Sequence, residues 1–137
     1  MDGSHFATLV CGKASKDGEI EICNAGHSPP LVVSKRGVSS LDSTGFPVGL
    51  VESSPYDVLK LTLMVEETLF LYSDGLTEAR DPADQLYGVD RLTRVLSENR
   101  AVSPAALAAA CLKDLAAFQN GVPKADDLTI MVVRRTG

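Results

Sequence analysis

Thr68-Leu69-Phe70-Leu71-Tyr72-Ser73-Asp74-Gly75-Leu76-Thr77-Glu78-Ala79 is the stretch on which the fold turns. Residues Leu69 to Tyr72 are apolar on both of the faces that a period of two defines, the pattern of an interior strand covered from both sides. Ser73-Asp74-Gly75 ends that strand with turn chemistry, and beyond Asp74 the apolar period lengthens from two toward 3.6. The chain therefore divides near Asp74 into a strand-rich first half and a helix-containing second half, which predicts an α+β fold.

Working back from Thr68, Leu59, Leu61 and Leu63 alternate with Val58, Lys60 and Thr62, so this segment reads as a strand with one wet face. Leu31 to Val33 and Val38 to Leu41 flank Lys35-Arg36-Gly37 as a hairpin, and Ser39 to Gly49 is a loop rich in turn residues. Thr8 to Lys13 and Glu19 to Cys23 form another hairpin around Ser15-Lys16-Asp17-Gly18.

Working forward, Val89, Leu92, Val95 and Leu96 follow the Tyr87-Gly88 turn as a short amphipathic helix. A better-punctuated helix starts at Ser103, a good N-cap, with Pro104 where its missing N–H costs nothing, and stops at Asn120-Gly121. Leu107, Cys111, Leu115 and Phe118 share its apolar face. Leu128 to Arg134 is a further, mostly buried strand, with Leu128, Ile130 and Val132 on one side and Thr129, Met131 and Val133 on the other.

The 137 residues, 45% of them hydrophobic, have the length of one domain, taken as 1–137. A net charge of −5 with both signs interspersed leaves no basic face for nucleic acid. No apolar run approaches the roughly 20 residues of a spanning helix, and nothing resembles a signal peptide, so a cytoplasmic protein without membrane insertion is expected. Three cysteines without C-x-x-C spacing suit neither a disulfide framework nor a zinc site; Cys11, Cys23 and Cys111 read as buried thiols.

Asp74 and Asp126 stand out because each lies at the end of an apolar strand, where sites collect. Antiparallel pairing of Thr68 to Tyr72 with Leu128 to Arg134 would bring them together. Two close carboxylates repel unless one is protonated or a cation lies between them, and oxygen donors without a His or Cys cluster favour Mg or Mn over Zn. The competing reading makes both ordinary turn residues. His27, in Asn24-Ala25-Gly26-His27-Ser28-Pro29-Pro30, reads as a turn residue bonding nearby backbone rather than as a general acid. Glu78 is a loop carboxylate or a partner of a ligand rather than a ligand itself.

Read in order, Phe6-Ala7-Thr8-Leu9, Asn24 to Pro30, Thr44-Gly45-Phe46-Pro47-Val48-Gly49, Leu71 to Ala79, Tyr87-Gly88 and Ala125-Asp126-Asp127-Leu128-Thr129 resemble the successive motifs of SpoIIE/RsbU phosphatases, a branch of the PPM-type metal-dependent protein serine/threonine phosphatases. The resemblance covers nearly the whole chain. It implies a sandwich of two mostly antiparallel β-sheets flanked by helices, here the carboxy-terminal part of the domain and incomplete at the N-terminus. It also implies hydrolysis of phosphoserine or phosphothreonine by water activated on a pair of Mn or Mg ions, with no covalent protein intermediate. By the same resemblance Asp74 and Asp126 are metal ligands, with Asp127 a weaker candidate.

Two departures bear on that expectation. Nothing before Phe6 resembles the Gly-Gly-Asp and Gly-Asp-Val-Ser-Gly segments that supply further ligands in the family, so this chain alone is expected to bind metal weakly and to lack activity. Val65-Glu66-Glu67 stands where relatives turn with Pro-Gly-Asp, so that loop is expected to differ in shape. The partner expected from the resemblance is a phosphorylated STAS-type protein or another phosphoprotein. A homodimer through exposed strand edges is expected on physical grounds. The alternative is a catalytically inactive, phosphatase-like interaction module.

Overall fold

The computed structural model describes residues 5–52 and 55–137. Its elements in chain order are β1 (Leu9–Ala14), β2 (Glu19–Ala25), β3 (Leu31–Ser34), β4 (Gly37–Ser40), β5 (Leu59–Thr62), β6 (Thr68–Tyr72), α1 (Asp74–Thr77), α2 (Gly88–Glu98), α3 (Pro104–Gln119) and β7 (Ile130–Arg134). They make two antiparallel sheets, one ordered β1-β2-β5 and the other β4-β3-β6-β7.

The hairpin between β1 and β2 closes as its sequence predicts. Ser15 N–H donates to Glu19 O at 2.9 Å and Gly18 N–H to Ser15 O at 3.0 Å. Gly18 has φ +93°, and a Cβ there would lie 2.4 Å from Leu63 O, so both the conformation and the space require glycine.

The second sheet is the middle layer, and the period of two explains why. Val32, Leu69, Leu71 and Val133 pack with Ile20, Ile22, Leu61 and Leu63 on the side of the first sheet. Leu31, Val33, Phe70, Tyr72, Ile130 and Val132 pack on the opposite side against Leu92, Leu96, Leu107, Cys111 and Leu115 of α2 and α3. Thr68 to Tyr72 is thus covered on both faces, between β3 and β7. The α+β sandwich of two antiparallel sheets with flanking helices is the expected architecture.

Helix α3 begins and ends as its punctuation predicts. Ser103 Oγ accepts from Ala106 N–H at 3.2 Å, and Asn120 adopts the left-handed conformation at the C-cap. Three expectations need correction. Cys11 is exposed and Cys23 half-buried, leaving only Cys111 in the core, because β1 is an edge strand whose outward face is uncovered among the described residues. Val89, in the first turn of α2, is 45% exposed rather than covered. The last strand begins at Ile130 rather than Leu128, and it is an edge strand with no fully buried residue and with Met131 58% exposed. At Val65-Glu66-Glu67 the chain makes a tight turn: Glu67 N–H donates to Met64 O at 3.0 Å, with Glu66 held at φ +71°.

Candidate active site

Antiparallel pairing of β6 with β7 matches Tyr72 with Ile130, so the exit of one strand meets the entrance of the other. Ser73 locks the junction. Its N–H donates to Thr129 O at 2.9 Å, its hydroxyl accepts from Thr129 N–H at 2.9 Å, and the same hydroxyl donates to Asp127 O at 3.3 Å. Gly75 is buried against the facing chain so closely that a Cβ would stand 2.2 Å from Asp127 O.

Asp74 and Asp126 flank this junction, and both are exposed. Asp74 is the first residue of the one-turn helix α1, and its carbonyl accepts from Glu78 N–H at 2.8 Å. Asp126 Oδ1 accepts from Asp127 N–H at 2.7 Å, a turn-forming bond that leaves its second oxygen without a partner among the described residues. Asp127 differs. Its side chain is fully exposed and lies 3.7 Å from Lys124 Nζ, an open surface pair of little energetic weight.

A cleft of about 440 Å³ adjoins the junction, lined by Gly75, Glu78, Arg80, Lys124 and Asp126 among others. It combines carboxylates with two cations. Arg80 Nη1 is held by Asp84, through Oδ1 at 3.2 Å and the carbonyl at 2.8 Å.

His27 belongs to a different local structure. Asn24, buried at the end of β2, accepts from His27 N–H at 2.8 Å and donates to His27 O at 3.0 Å, while His27 Nδ1 lies 3.2 Å from Ser28 O. Imidazole and amide thus fasten the turn, as the side-chain-to-backbone reading expects.

Sequence reasoning missed a cluster that fixes α2 against α3. Arg91 donates to Asp114 through Nε at 2.8 Å and Nη2 at 3.1 Å, Tyr87 donates its hydroxyl to Asp114 at 2.7 Å, and the guanidinium stacks 4.9 Å from the Phe118 ring centroid. Hydrogen bonding from Arg91 is the main reason the Asp114 carboxyl is held below its usual range, and burial is the main reason the Tyr87 phenol is pushed up. No local signal joins residues 23 and 27 positions apart; only the shared packing of two amphipathic helices brings them together.

Asp74 and Asp126 offer carboxylate oxygens, the chemistry Mg and Mn prefer. Among the described residues no group of three His, Cys, Asp or Glu side chains gathers to hold an ion. The kind of donor therefore fits, while the number supplies only part of a coordination shell.

Comparison with known proteins gives four findings. The family description of stage II sporulation protein E (SpoIIE) matches residues 1–136. Protein IcfG of Synechocystis sp. is 32% identical over 136 residues, which are 98% of this chain and 21% of that protein. The phosphatase domain of SpoIIE from Bacillus subtilis superposes with a TM-score of 0.74 at 17% identity, covering 94% of this chain and 56% of that one. The RsbU and RsbW domains of a Mycobacterium tuberculosis protein superpose with a TM-score of 0.77 at 24% identity, covering 99% of this chain and 38% of that one. The chain thus spans about a fifth of the length of IcfG and about half of the SpoIIE phosphatase domain.

Proposed function

The chain belongs to the SpoIIE family of PP2C-type phosphatase domains, and on that premise we propose that it serves metal-dependent hydrolysis of phosphoserine or phosphothreonine on a bacterial regulatory protein in the cytoplasm. A phosphorylated STAS-type antagonist of an anti-sigma factor is the class of substrate. The observation that supports this reading best is the Ser73 lock, which holds Asp74 and Asp126 at one end of neighbouring strands beside a cleft that also contains cations.

In this reading Asp74 and Asp126 are the protein's ligands to Mn or Mg. When bound, the metal supplies positive charge against the phosphoryl group and lowers the pKa of water that attacks phosphorus. Ser73 and Gly75 hold the two ligand-bearing segments in register. Lys124 offers a cation to phosphoryl oxygens. No thiol acts as nucleophile: burial is the main cause that pushes Cys111 up to about 11, and Cys11 and Cys23 lie in the other sheet.

Mg requires about six oxygens, so two carboxylates fill a minor share of one shell. Residues 1–137 by themselves therefore bind Mn or Mg weakly and release no phosphate, acting as one part of a larger catalytic domain. Mn titration by calorimetry on the chain and on its Asp74→Asn/Asp126→Asn variant, with phosphopeptide hydrolysis followed on the same samples, tests this. Heat that disappears in the variant without turnover supports the reading. Equal binding by both forms removes the aspartates from the site, and phosphate release by the chain refutes the expected inactivity.

A second reading, a catalytically inactive interaction module, is favoured by exposed apolar side chains around the first sheet, among them Phe6, Leu9, Phe46 and Val58. Among the described residues β1 pairs only with β2, and its free edge offers a route to a homodimer. Sedimentation equilibrium that finds a monomer at high micromolar concentration would exclude that dimer.

A further inference from the structure

We propose that a groove between the β3–β4 hairpin and the start of α2 takes the chain segment flanking the phosphorylated residue of the partner, and selects one carrying an apolar side chain next to Lys or Arg. This rests on the phosphatase reading of the neighbouring cleft.

The groove has a volume of about 560 Å³. Leu31, Val38 and Tyr72 contribute to its lining from the second sheet, and Leu86 and Val89 from the segment entering α2. Leu86 is 51% exposed and Val89 45%, although the helical period assigns Val89 to the covered face of α2. Two large apolar side chains are thus left open on one side of a concave surface, where an apolar side chain of a partner would remove them from water.

Charge decides what accompanies that side chain. The only charged residues lining the groove are Glu78 and Asp90, both exposed acids without an ion-pair partner among the described residues. Arg80 and Arg91 are engaged elsewhere, with Asp84 and Asp114, and neither Arg94, one turn after Asp90 on α2, nor Lys124, which lines the adjoining cleft with Glu78, forms an ion pair with either acid among the described residues. A Lys or Arg from outside is the complement to this pair, and an acidic segment is repelled.

Position ties the groove to the candidate ligands. Glu78 lines both the groove and the cleft containing Asp126, and it follows Asp74 by one helical turn, about 6 Å along the axis. An extended chain advances about 3.3 Å per residue, so a phosphoresidue at Asp74 and Asp126 puts the basic residue about two or three positions away.

The test is fluorescence anisotropy with labelled phosphoserine peptides and the 137-residue chain in Mn. One peptide carries Leu and Arg on the flank, a second Leu and Glu, and each is also made without phosphate. The expected result is binding of the basic flank about threefold to tenfold tighter than the acidic one, the scale of two exposed ion pairs. Glu78→Gln/Asp90→Asn is expected to abolish the preference and Asp90→Lys to reduce or invert it, with circular dichroism showing each variant folded. Equal affinity for the two flanks in the unmodified chain, a preference that survives the double substitution, or no binding of any peptide overturns the groove assignment. A flank preference shared equally by the unphosphorylated peptides supports the groove and tells against the phosphatase reading. A phosphate-dependent affinity without flank preference rejects the groove alone.

Discussion

Replacing Gly75 by alanine inserts one methyl group at the point where the two aspartate-bearing segments touch. The ideal Cβ falls 2.2 Å from Asp127 O, 3.0 Å from Asp127 C and 3.5 Å from Leu128 Cα, all of them backbone atoms. No flexible side chain stands there to swing aside, and the contact is about 1 Å short of van der Waals separation, so one segment must move. Overpacking of this kind costs about 1–3 kcal/mol, and a rigid carbonyl argues for the upper part of that range. Alanine returns at most ~1 kcal/mol through its helix propensity, because Gly75 lies within α1. The net expectation is a loss of about 2 kcal/mol, read as a urea midpoint lower by about 1 M. On the proposed reading of Asp74 and Asp126 as metal ligands, calorimetric Mn binding should weaken in parallel, because the segments that carry them are pushed apart. A Gly75→Ala protein within about 0.5 kcal/mol of the parent, with unchanged Mn heat, would refute the argument that this contact sets the junction.

Asp114→Asn should cost about 1–3 kcal/mol by weakening the bonds from Arg91 and Tyr87, and urea unfolding at pH 7 checks it. The Asp114 carboxyl is held low, so its contribution is present above the ordinary carboxylate range near pH ~4 and fades as pH falls through the lower folded value. The gap between parent and variant should accordingly close in acid; a gap unchanged at pH 2.5 counts against the cluster. Maleimide should label Cys11 rapidly in the native protein and Cys111 only on unfolding, as its buried thiol is pushed up to about 11; equal labelling rates by peptide mapping would contradict that placement. Glu66→Gly should stabilise by about 0.5–1 kcal/mol, because glycine relieves the left-handed φ of +71° at a tight turn, and a lower thermal midpoint would show that Glu66 holds the turn by other means.

The strands were legible where period and punctuation agreed. The Asp17-Gly18 turn fixed one hairpin, alternation fixed Leu59 to Leu63, and the apolar faces of Thr68 to Tyr72 announced the middle layer. Ser103 and Asn120 marked α3 almost to the residue. Exposure was less legible. A small thiol on a strand has the same local pattern whether its strand is central or at an edge, and that difference put Cys11 in solvent. Val89 fits the helical period, yet only tertiary packing decides whether the sheet reaches it. Within the site, the antiparallel pairing of β6 with β7 was legible from strand direction, and it sets the segment leaving Tyr72 beside the one entering Ile130. The bonds of Ser73 to segments more than fifty residues away left no trace in the local sequence.

The middle sheet is held very unequally from its two sides. Thirteen buried residues define the helix-side cluster among the described residues, against four between the sheets. Apolar burial sets the free energy of local opening, so the β1-β2-β5 layer should open in excursions that leave the helical layer closed. Hydrogen exchange would then separate the protein into an early and a late unit, with the amides of β6 in the late one. The Asp74–Asp126 junction hangs from that late unit. Breathing, loosening or remodelling of the outer sheet would therefore change what surrounds the two aspartates before it changes the spacing between them.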